Sequence, residues 1–102
     1  MKANLLKRER IHISDNSFAE VVIWALSSPL PGSAHNYKYR LAYVVDEVCV
    51  LRYDNESGKG NHRHMGEAQT AYLFTTLDAL LDDFWNDLTK LRGAHERKNA
   101  DD

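Results

Sequence analysis

Hydrophobic and polar residues alternate along the first part of the chain in the way that β-strands require. Residues 5–13 have apolar Leu5, Ile11 and Ile13 at odd positions and basic Arg8 and Arg10 at even ones, which indicates the period-two pattern of a strand. Residues 18–26 are rich in β-branched and aromatic residues, which is typical of a strand buried on both faces or nearly so. Because the turn-forming residues 14–17 separate the two strands, we predict a hairpin.

A second pair of strands follows a loop at residues 27–36, which contains both prolines of the chain. Residues 37–45 alternate as a strand, residues 48–53 are predicted to form the next strand, and residues 46–47 can form the tight turn between them. Directly opposed residues share one face of a sheet. Without a bulge, one side would carry Lys38, Arg40, Tyr53 and Asn55, and the other side Tyr39, Arg52 and Asp54. A one-residue bulge would reverse this relation between the two strands.

Residues 56–74 are predicted to form a long loop, in which residues 70–74 can add a short edge strand. Loops of this length without secondary structure are uncommon in small domains, and they often carry function. The segment is therefore where we expect part of a functional site.

The clearest periodic signal is an apolar stripe at 3.6-residue spacing over residues 77–91, which predicts an amphipathic helix. Thr75 and Asp78 resemble a capping box at its start. Gly93 suits the end of the helix, because glycine readily adopts the left-handed conformation of a C-cap. Residues 94–102 are charged, and we predict a flexible tail.

These elements predict an α+β domain in which an antiparallel meander of four to five strands packs against one C-terminal amphipathic helix. A chain of 102 residues has the length of one domain, which we assign to residues 1–93, followed by the tail 94–102. With 43% hydrophobic residues, the chain can bury a core rather than remain disordered.

Charge and cysteine content narrow the classes of function. The net charge is -2, so any binding of nucleic acid must come from a local basic patch. The single cysteine, Cys49, excludes an internal disulfide and a cysteine-based zinc site. The N-terminus lacks the apolar run of a signal peptide, and no segment has the roughly 18 apolar residues of a membrane span. We expect a soluble, cytoplasmic protein with no membrane association.

Residues 52–64 carry the densest set of side chains that can bind phosphate or transfer protons, arranged around two glycines and a His-x-His pair. Histidine titrates near neutrality and can act as acid or base, and arginine and lysine hold phosphate. Cleavage of RNA through its own 2′-hydroxyl needs these groups and no metal or cofactor. The residues that supply them are His62, His64, Lys59, Arg52 and Arg40, and the tyrosines Tyr37, Tyr39 and Tyr53 could stack unpaired bases.

Two other interpretations of this stretch remain open. His62 and His64, joined by Asp54 or His35, would make a three-ligand metal site with an open position, although a His-x-His pair alone is weak evidence. Alternatively, Arg52 simply pairs with a nearby carboxylate and the histidines lie in a solvated loop. The tyrosines at period two are more often a packed sheet face than a platform for bases.

Three runs of the sequence resemble one known family. They are residues 37–43, the run Arg52-Tyr53-Asp54-Asn55 with the following Gly-x-x-x-His-x-His, and residues 74–85. In these runs the chain resembles the TumE family, which comprises small toxins of bacterial and archaeal toxin–antitoxin systems. Many relatives with this pattern carry a histidine just before the first glycine, where this chain has Ser57. That departure removes one potential metal ligand.

The resemblance implies a growth-inhibiting toxin that a helix-turn-helix antitoxin binds and silences. Endoribonuclease activity with RNA as the substrate follows by analogy with other small toxins. The alternatives are a non-catalytic inhibitor that binds RNA, ribosome or protein, and a metal-dependent nuclease; a homodimer is left open. The resemblance implies functional roles for Arg52, Tyr53, Asp54, Asn55, His62 and His64, followed by Lys38 and Arg40.

In the combined hypothesis, His62 and His64 exchange protons with the RNA. Arg52, Lys59 and Arg40 hold phosphate. Asp54 orients a histidine or an arginine. Tyr53, Asn55 and Lys38 join Arg40 as substrate-binding residues, and Asn55 also fixes the turn into the loop.

Overall fold

A computed structural model of the chain describes the backbone of residues 3–100 and the side chains of residues 3–94. Its strands form one antiparallel sheet in which each strand pairs with the next along the chain, and a helix follows the last strand. The α+β meander is confirmed, but the described sheet has six strands rather than four to five. The elements are β1 (Ala3–Ser14), β2 (Ser17–Leu26), β3 (Tyr37–Val45), β4 (Val48–Glu56), β5 (Gly60–Met65), β6 (Ala68–Ala71) and α1 (Leu77–Ala100).

The segment predicted as a long loop is largely a hairpin. The chain turns back after β4 through Gly58 and Gly60, whose φ angles of 78° and 77° lie in the left-handed region that favours glycine. β5 then pairs with β4 on one side and β6 on the other, so the His-x-His pair lies within a strand. The sequence did not reveal β5 because its residues are mostly polar and lack an apolar alternation.

The pairing of β3 with β4 contains the one-residue bulge that the sequence left open. The register shifts just beyond the turn, so that Leu41 pairs with Tyr53 and Arg40 pairs with Asp54. The bulge-free arrangement is therefore wrong. The extra residue in β4 moves each β4 side chain beyond the bulge to the face opposite the one expected without a bulge. Lys38, Arg40, Arg52 and Asp54 share one face, whereas Tyr39, Tyr53 and Asn55 share the other.

α1 packs against one face of the sheet, and we call the uncovered one the open face. Leu80 and Phe84 of α1 are fully buried against the sheet, and burial of such side chains stabilises the fold by about 1.5–3 kcal/mol each. β2 alternates between buried residues on the face toward α1 and half-buried ones on the open face, so only one of its two faces is fully buried. The sheet residues of the core include Val21, Ile23, Tyr39, Leu41, Leu51 and Tyr53.

The predicted helix is confirmed, but both of its ends differ from the prediction. The cap is Thr76 rather than Thr75, because the Thr76 Oγ1 accepts a hydrogen bond from the Ala79 N at 3.0 Å. The helix continues through Gly93 to Ala100, and Gly93 does not adopt the positive φ of a C-cap. Most of the predicted tail is therefore helical, and its flexibility stays a prediction; residues 101–102 lie outside the described residues.

Candidate functional site

Two neighbouring rows of cross-strand pairs bring the predicted polar residues together on the open face. In one row Arg52 pairs with His64, and in the next Asp54 pairs with His62. Paired residues point to the same face of a sheet. The four side chains therefore form one cluster between β4 and β5, which we call the histidine centre. Arg40 adjoins it, because it pairs with Asp54 from the β3 side.

Asp54 contacts both Arg52 and His64 within the histidine centre. Its Oδ2 lies 3.0 Å from the Arg52 Nε, and its Oδ1 lies 3.6 Å from the His64 Nε2. The Arg52 Nε–H is not aligned for a hydrogen bond to Asp54, and this buried donor has no hydrogen-bond acceptor among the described residues. The contact is therefore an ion pair. Asp54 holds Arg52 by charge and is close enough to pair with His64 when that ring is protonated.

The hydrogen bonds of His62 determine which of its nitrogens carries the proton. The His62 Nε2 lies 2.6 Å from the Lys59 carbonyl oxygen, which can only accept, so Nε2 is the donor. In the neutral ring Nδ1 is then the acceptor, and it receives a hydrogen bond from the Gln69 Nε2 at 3.3 Å. The base nitrogen of His62 is thus Nδ1. The rings of His62 and His64 have their centres 6.4 Å apart.

The basic residues around the histidine centre differ in how strongly they are held. The Lys59 ammonium lies 3.4 Å from the Glu56 carboxylate, so Lys59 contacts His62 through its backbone and not its charge. The Lys38 Nζ donates to the Asn55 carbonyl oxygen at 3.2 Å. Arg40, on the open face, lies 3.8 Å from Glu20, and its side chain is 48% exposed. Arg40 is therefore a half-exposed cation beside the centre, held by a loose ion pair.

Tyr53 and Asn55, predicted to bind substrate, lie on the covered face instead. They are 1% and 2% exposed, respectively. The Tyr53 hydroxyl donates to Asp87 of α1 at 2.5 Å, and burial is the main reason that the pKa of Tyr53 is raised well above its usual range. The Asn55 side chain bonds to the backbone of β3. The bulge in β4 places both side chains on this face. Their hydrogen bonds are made to α1 and β3, and neither side chain reaches the open face.

The tyrosines proposed as a platform for bases also lie on the covered face of the sheet, the face on which α1 packs. Tyr39 is 2% exposed, and its hydroxyl donates to the Asn61 Oδ1 at 2.8 Å. Burial raises the pKa of Tyr39 well above its usual range, with a smaller contribution from the charge of Asp54. Tyr37 lies against the ring of His35. The packed-face interpretation of these tyrosines therefore fits the structure.

His35, offered by the sequence as a metal ligand, lies away from the histidine centre. Its Nδ1 accepts from the Tyr37 N at 3.2 Å, so its Nε2 donates to the Asn61 Oδ1 at 2.9 Å. Its ring centre is 3.9 Å from that of Phe74. Within the described part of the chain, no three His, Cys, Asp or Glu side chains converge in the way that metal ligands do.

The structure adds polar residues to the open face that sequence reasoning did not include in the site. Gln69 contacts His62 from β6, a strand that was predicted only in outline. Glu20 of β2 pairs with both Arg10 and Arg40. The sequence alternation showed Arg8 and Arg10 as basic residues of β1. It did not specify the order of the strands in the sheet, and that order determines how far these residues lie from β5. Only the complete meander shows that they share a face with the histidines.

A model of the family described as Toxin TumE matches residues 2–92 of the chain. The chain belongs to the TumE toxin family. The match covers the whole histidine centre and ends within α1, which confirms the resemblance seen in the sequence. As a TumE toxin, the chain is one component of a toxin–antitoxin system and has an antitoxin as its partner.

No curated protein and no solved structure matches the chain. The geometry of the TumE histidine centre must therefore be interpreted from its own residues. Among the described residues, no helix combines the length and the hydropathy needed to span a membrane.

Proposed function

We propose that this TumE toxin is a metal-independent endoribonuclease that inhibits growth or translation. The observation that carries the proposal is the histidine centre itself, in which two histidines, an arginine and a carboxylate meet on a sheet face that α1 leaves uncovered. RNA cleavage through the 2′-hydroxyl requires a base, an acid and a cation for the phosphate. The centre supplies each of these from the protein's own side chains.

The tautomer of His62 makes it the base. Its Nδ1 takes the proton of the 2′-hydroxyl, while the Lys59 carbonyl holds Nε2 and the emerging imidazolium. The 2′-oxygen attacks phosphorus and the bond from phosphorus to the 5′-oxygen breaks. His64, protonated beside Asp54, donates its proton to that leaving oxygen. The products are a 2′,3′-cyclic phosphate and a 5′-hydroxyl, so protons and bonds balance.

The separation of the two rings supports this division of roles. A catalytic group must approach within about 2.6–3.2 Å of the atom that exchanges its proton. The attacking and leaving oxygens lie roughly in line on opposite sides of phosphorus. Ring centres 6.4 Å apart leave room for one phosphate between His62 and His64. Gln69, which donates to the His62 Nδ1, occupies the position that a 2′-hydroxyl donor would take.

Arginines bind the phosphate group and offset its negative charge. Arg52 belongs to the histidine centre, and its side chain is 33% exposed, so its guanidinium group can hold an oxyanion of the phosphate. Arg40 is half-exposed on the adjoining strand and can hold the next phosphate, with Lys38 beyond it. Lys59 acts as a positioning residue for His62 through its carbonyl group.

The antitoxin silences the toxin, in this proposal, by laying an acidic, extended segment across the open face. Such a segment would pair with Arg40 and Arg52 and exclude RNA from the histidine centre. Substituting Arg40 and Arg52 by glutamine should then weaken the antitoxin complex. A complex in which the partner contacts only α1 and leaves the open face accessible would contradict this part of the proposal.

The experiment that tests the chemistry uses the 2′-hydroxyl. A defined RNA is incubated with purified toxin, the cleavage position is mapped, and the nucleotide before the cut is replaced by its 2′-deoxy form. We expect cleavage at that position to disappear and the wild-type products to carry 2′,3′-cyclic phosphate and 5′-hydroxyl ends. Undiminished cleavage of the 2′-deoxy substrate would overturn the mechanism and favour a metal-dependent nuclease, which attacks with water.

A non-catalytic inhibitor is the second candidate. Its support is that both nitrogens of His62 already have partners within the chain, as an ordinary structural histidine does. This candidate predicts that Arg40→Gln abolishes inhibition of translation, while His62→Ala and His64→Ala leave it unchanged. The endoribonuclease predicts the opposite sensitivity to the histidine substitutions.

A further inference from the structure

We infer that the β1–β3 half of the open face is a binding site for single-stranded RNA, continuous with the histidine centre. The inference rests on the proposed function and extends it to Arg8, Arg10 and Trp24, to which neither the sequence motifs nor the family resemblance assigns a role. We call this part of the open face the basic strip. It consists of Arg8, Arg10, Trp24, Lys38 and Arg40.

The basic strip and the histidine centre are joined by the register of the sheet. One row runs from Arg8 through Val22 and Arg40 to Asp54 and His62 without interruption. The next row runs from Arg10 to His64 in the same way, through Glu20, Ala42 and Arg52. Since neighbouring strands lie about 4.8 Å apart, β1 and β5 are separated by about 19 Å. A strand of RNA crossing the sheet from the histidine centre would therefore pass over the basic strip.

The charge of the open face suits a polyanion. On the strands β1 to β5 this face carries five arginines and lysines (Arg8, Arg10, Lys38, Arg40 and Arg52) against three carboxylates (Glu20, Asp54 and Glu56). On the opposite side, every charged residue of α1 between Leu77 and Leu88 is an aspartate. The molecule thus concentrates positive charge on one face despite its net charge of -2, and electrostatic attraction would direct RNA to that face.

Trp24 gives the basic strip a preference for unpaired bases. It is half-buried on the open face, opposite Lys38, and the Arg8 guanidinium carbon lies 5.9 Å from the centre of its ring. Aromatic rings and stacked guanidinium groups bind nucleobases through their planar faces. A base that is paired and stacked inside a duplex does not expose its face, so we expect single-stranded RNA to bind more tightly than duplex.

Glu20 restrains the arginines of the strip in the absence of RNA. Its carboxylate lies 2.8 Å from Arg10 and 3.8 Å from Arg40, whose side chains are 67% and 48% exposed. Glu20 therefore offsets part of their charge and competes with phosphate for both. Replacing Glu20 by glutamine removes that competition, and the affinity for RNA should increase.

The test measures binding separately from cleavage. The toxin carrying His62→Ala and His64→Ala is titrated into a 5′-labelled 12-nucleotide RNA of unstructured sequence, and into a duplex of the same sequence, with fluorescence anisotropy as the readout. Arg8→Ala is compared with Lys7→Ala, which removes a positive charge one residue away on the covered face, where Lys7 pairs with Ile23. Trp24→Ala is the stacking variant, and circular dichroism confirms that each variant is folded.

We expect Trp24→Ala to weaken binding of the single strand by about tenfold, since a stacked base contributes ~1–3 kcal/mol. Arg8→Ala should lower the slope of log affinity against log salt by about 0.7, as expected for one lost phosphate contact. Lys7→Ala should bind like its parent, and Glu20→Gln should bind more tightly. As a second readout, the fluorescence of Trp24 should be quenched by RNA in a toxin whose other tryptophan is removed by Trp85→Phe.

The outcomes separate the two proposals. Equal binding by Arg8→Ala, Trp24→Ala and Lys7→Ala, or equal affinity for duplex and single strand, would overturn the RNA site on the strip. If wild-type toxin still cleaved RNA in that case, the proposed function would stand. Binding that depends on Arg8 and Trp24, in a wild-type toxin that cleaves nothing, would support the strip and refute the endoribonuclease.

Discussion

Replacing Asn55 by alanine should destabilise the fold. Its side chain makes the hydrogen bonds to the backbone of β3 that the backbone of a paired strand would otherwise make, which we call the strand-partner role. Backbone pairing between β3 and β4 reaches only as far as Arg40 and Asp54. Beyond that pair, the Asn55 Oδ1 accepts from the Tyr39 N at 2.9 Å and its Nδ2 donates to the Tyr37 carbonyl oxygen at 2.7 Å. Asn55 is 2% exposed, so water cannot readily replace these bonds.

The magnitude follows from the two backbone groups that alanine would leave without partners. An unsatisfied buried donor or acceptor costs about 1–3 kcal/mol. Two such groups give about 2–6 kcal/mol, and relaxation of the β3 end toward solvent favours the lower half of that range. Because a small domain has a free energy of unfolding of about 5–15 kcal/mol, a loss of ~3 kcal/mol would be a large fraction of its stability.

The assay is urea unfolding followed by circular dichroism, with Asn86→Ala as the matched control. Asn86 is exposed on α1, where alanine is a better helix former, so its replacement should change stability by less than about 0.5 kcal/mol. Asn55→Ala should lower the urea midpoint by about 1–3 M at an unchanged slope. Equal midpoints for the two variants, or a loss below ~0.5 kcal/mol for Asn55→Ala, would refute the strand-partner role.

Three further predictions concern packing, pH and the turn between β4 and β5. Phe84→Ala should lower the free energy of unfolding by about 3–5 kcal/mol in the same urea assay, because the ring is fully buried; a loss near 1 kcal/mol would contradict the packing. Burial, with carboxylate hydrogen bonds, raises the pKa values of Tyr53 and Tyr72 well above 10. The unfolded chain therefore loses these protons first, and stability should fall as pH rises above about 10, less steeply in Tyr53→Phe; a pH-independent midpoint up to pH 11 would be inconsistent with this. Lys59→Ala should slow RNA cleavage less than about fivefold, because its exposed ion pair contributes under ~1 kcal/mol and its carbonyl still holds His62; a loss of activity equal to that of His62→Ala would assign the ammonium a direct role.

The elements that bury apolar side chains could be predicted from the sequence. The stripe over residues 77–91 identified α1, and period-two alternation identified β1 and β3, because burial on one face imposes those spacings. A run of β-branched and aromatic residues identified β2. β5 escaped prediction because its side chains are mostly polar, so no apolar pattern marks it. The edge strand predicted at residues 70–74 is β6, which lies at Ala68–Ala71 and was misplaced because its residues are small or polar and exposed. The helix end was misplaced because a glycine tolerates a helical backbone as well as a cap.

The candidate site could be predicted in its composition but not in its geometry. The residues of the histidine centre were identified because their chemistry is concentrated in residues 52–64. Which of them share a face depends on a bulge that involves one residue, and apolar patterning does not encode it. Tyr53 and Asn55, assigned to substrate from the family resemblance, lie on the covered face because of that bulge. The contribution of Arg8 and Trp24 requires the order of all six strands, which no local pattern specifies.

The most direct test of the central claim is the rate at which purified toxin cleaves a defined single-stranded RNA in the presence of EDTA. Wild type is compared with the His62→Ala/His64→Ala double variant and with His12→Ala, which removes an exposed histidine outside the histidine centre. We predict that wild type and His12→Ala cleave at similar rates and that the double variant is slower by a factor of about 10²–10⁴ or more. Cleavage by the double variant at the wild-type rate, or cleavage that EDTA abolishes and a transition metal restores, would contradict the account.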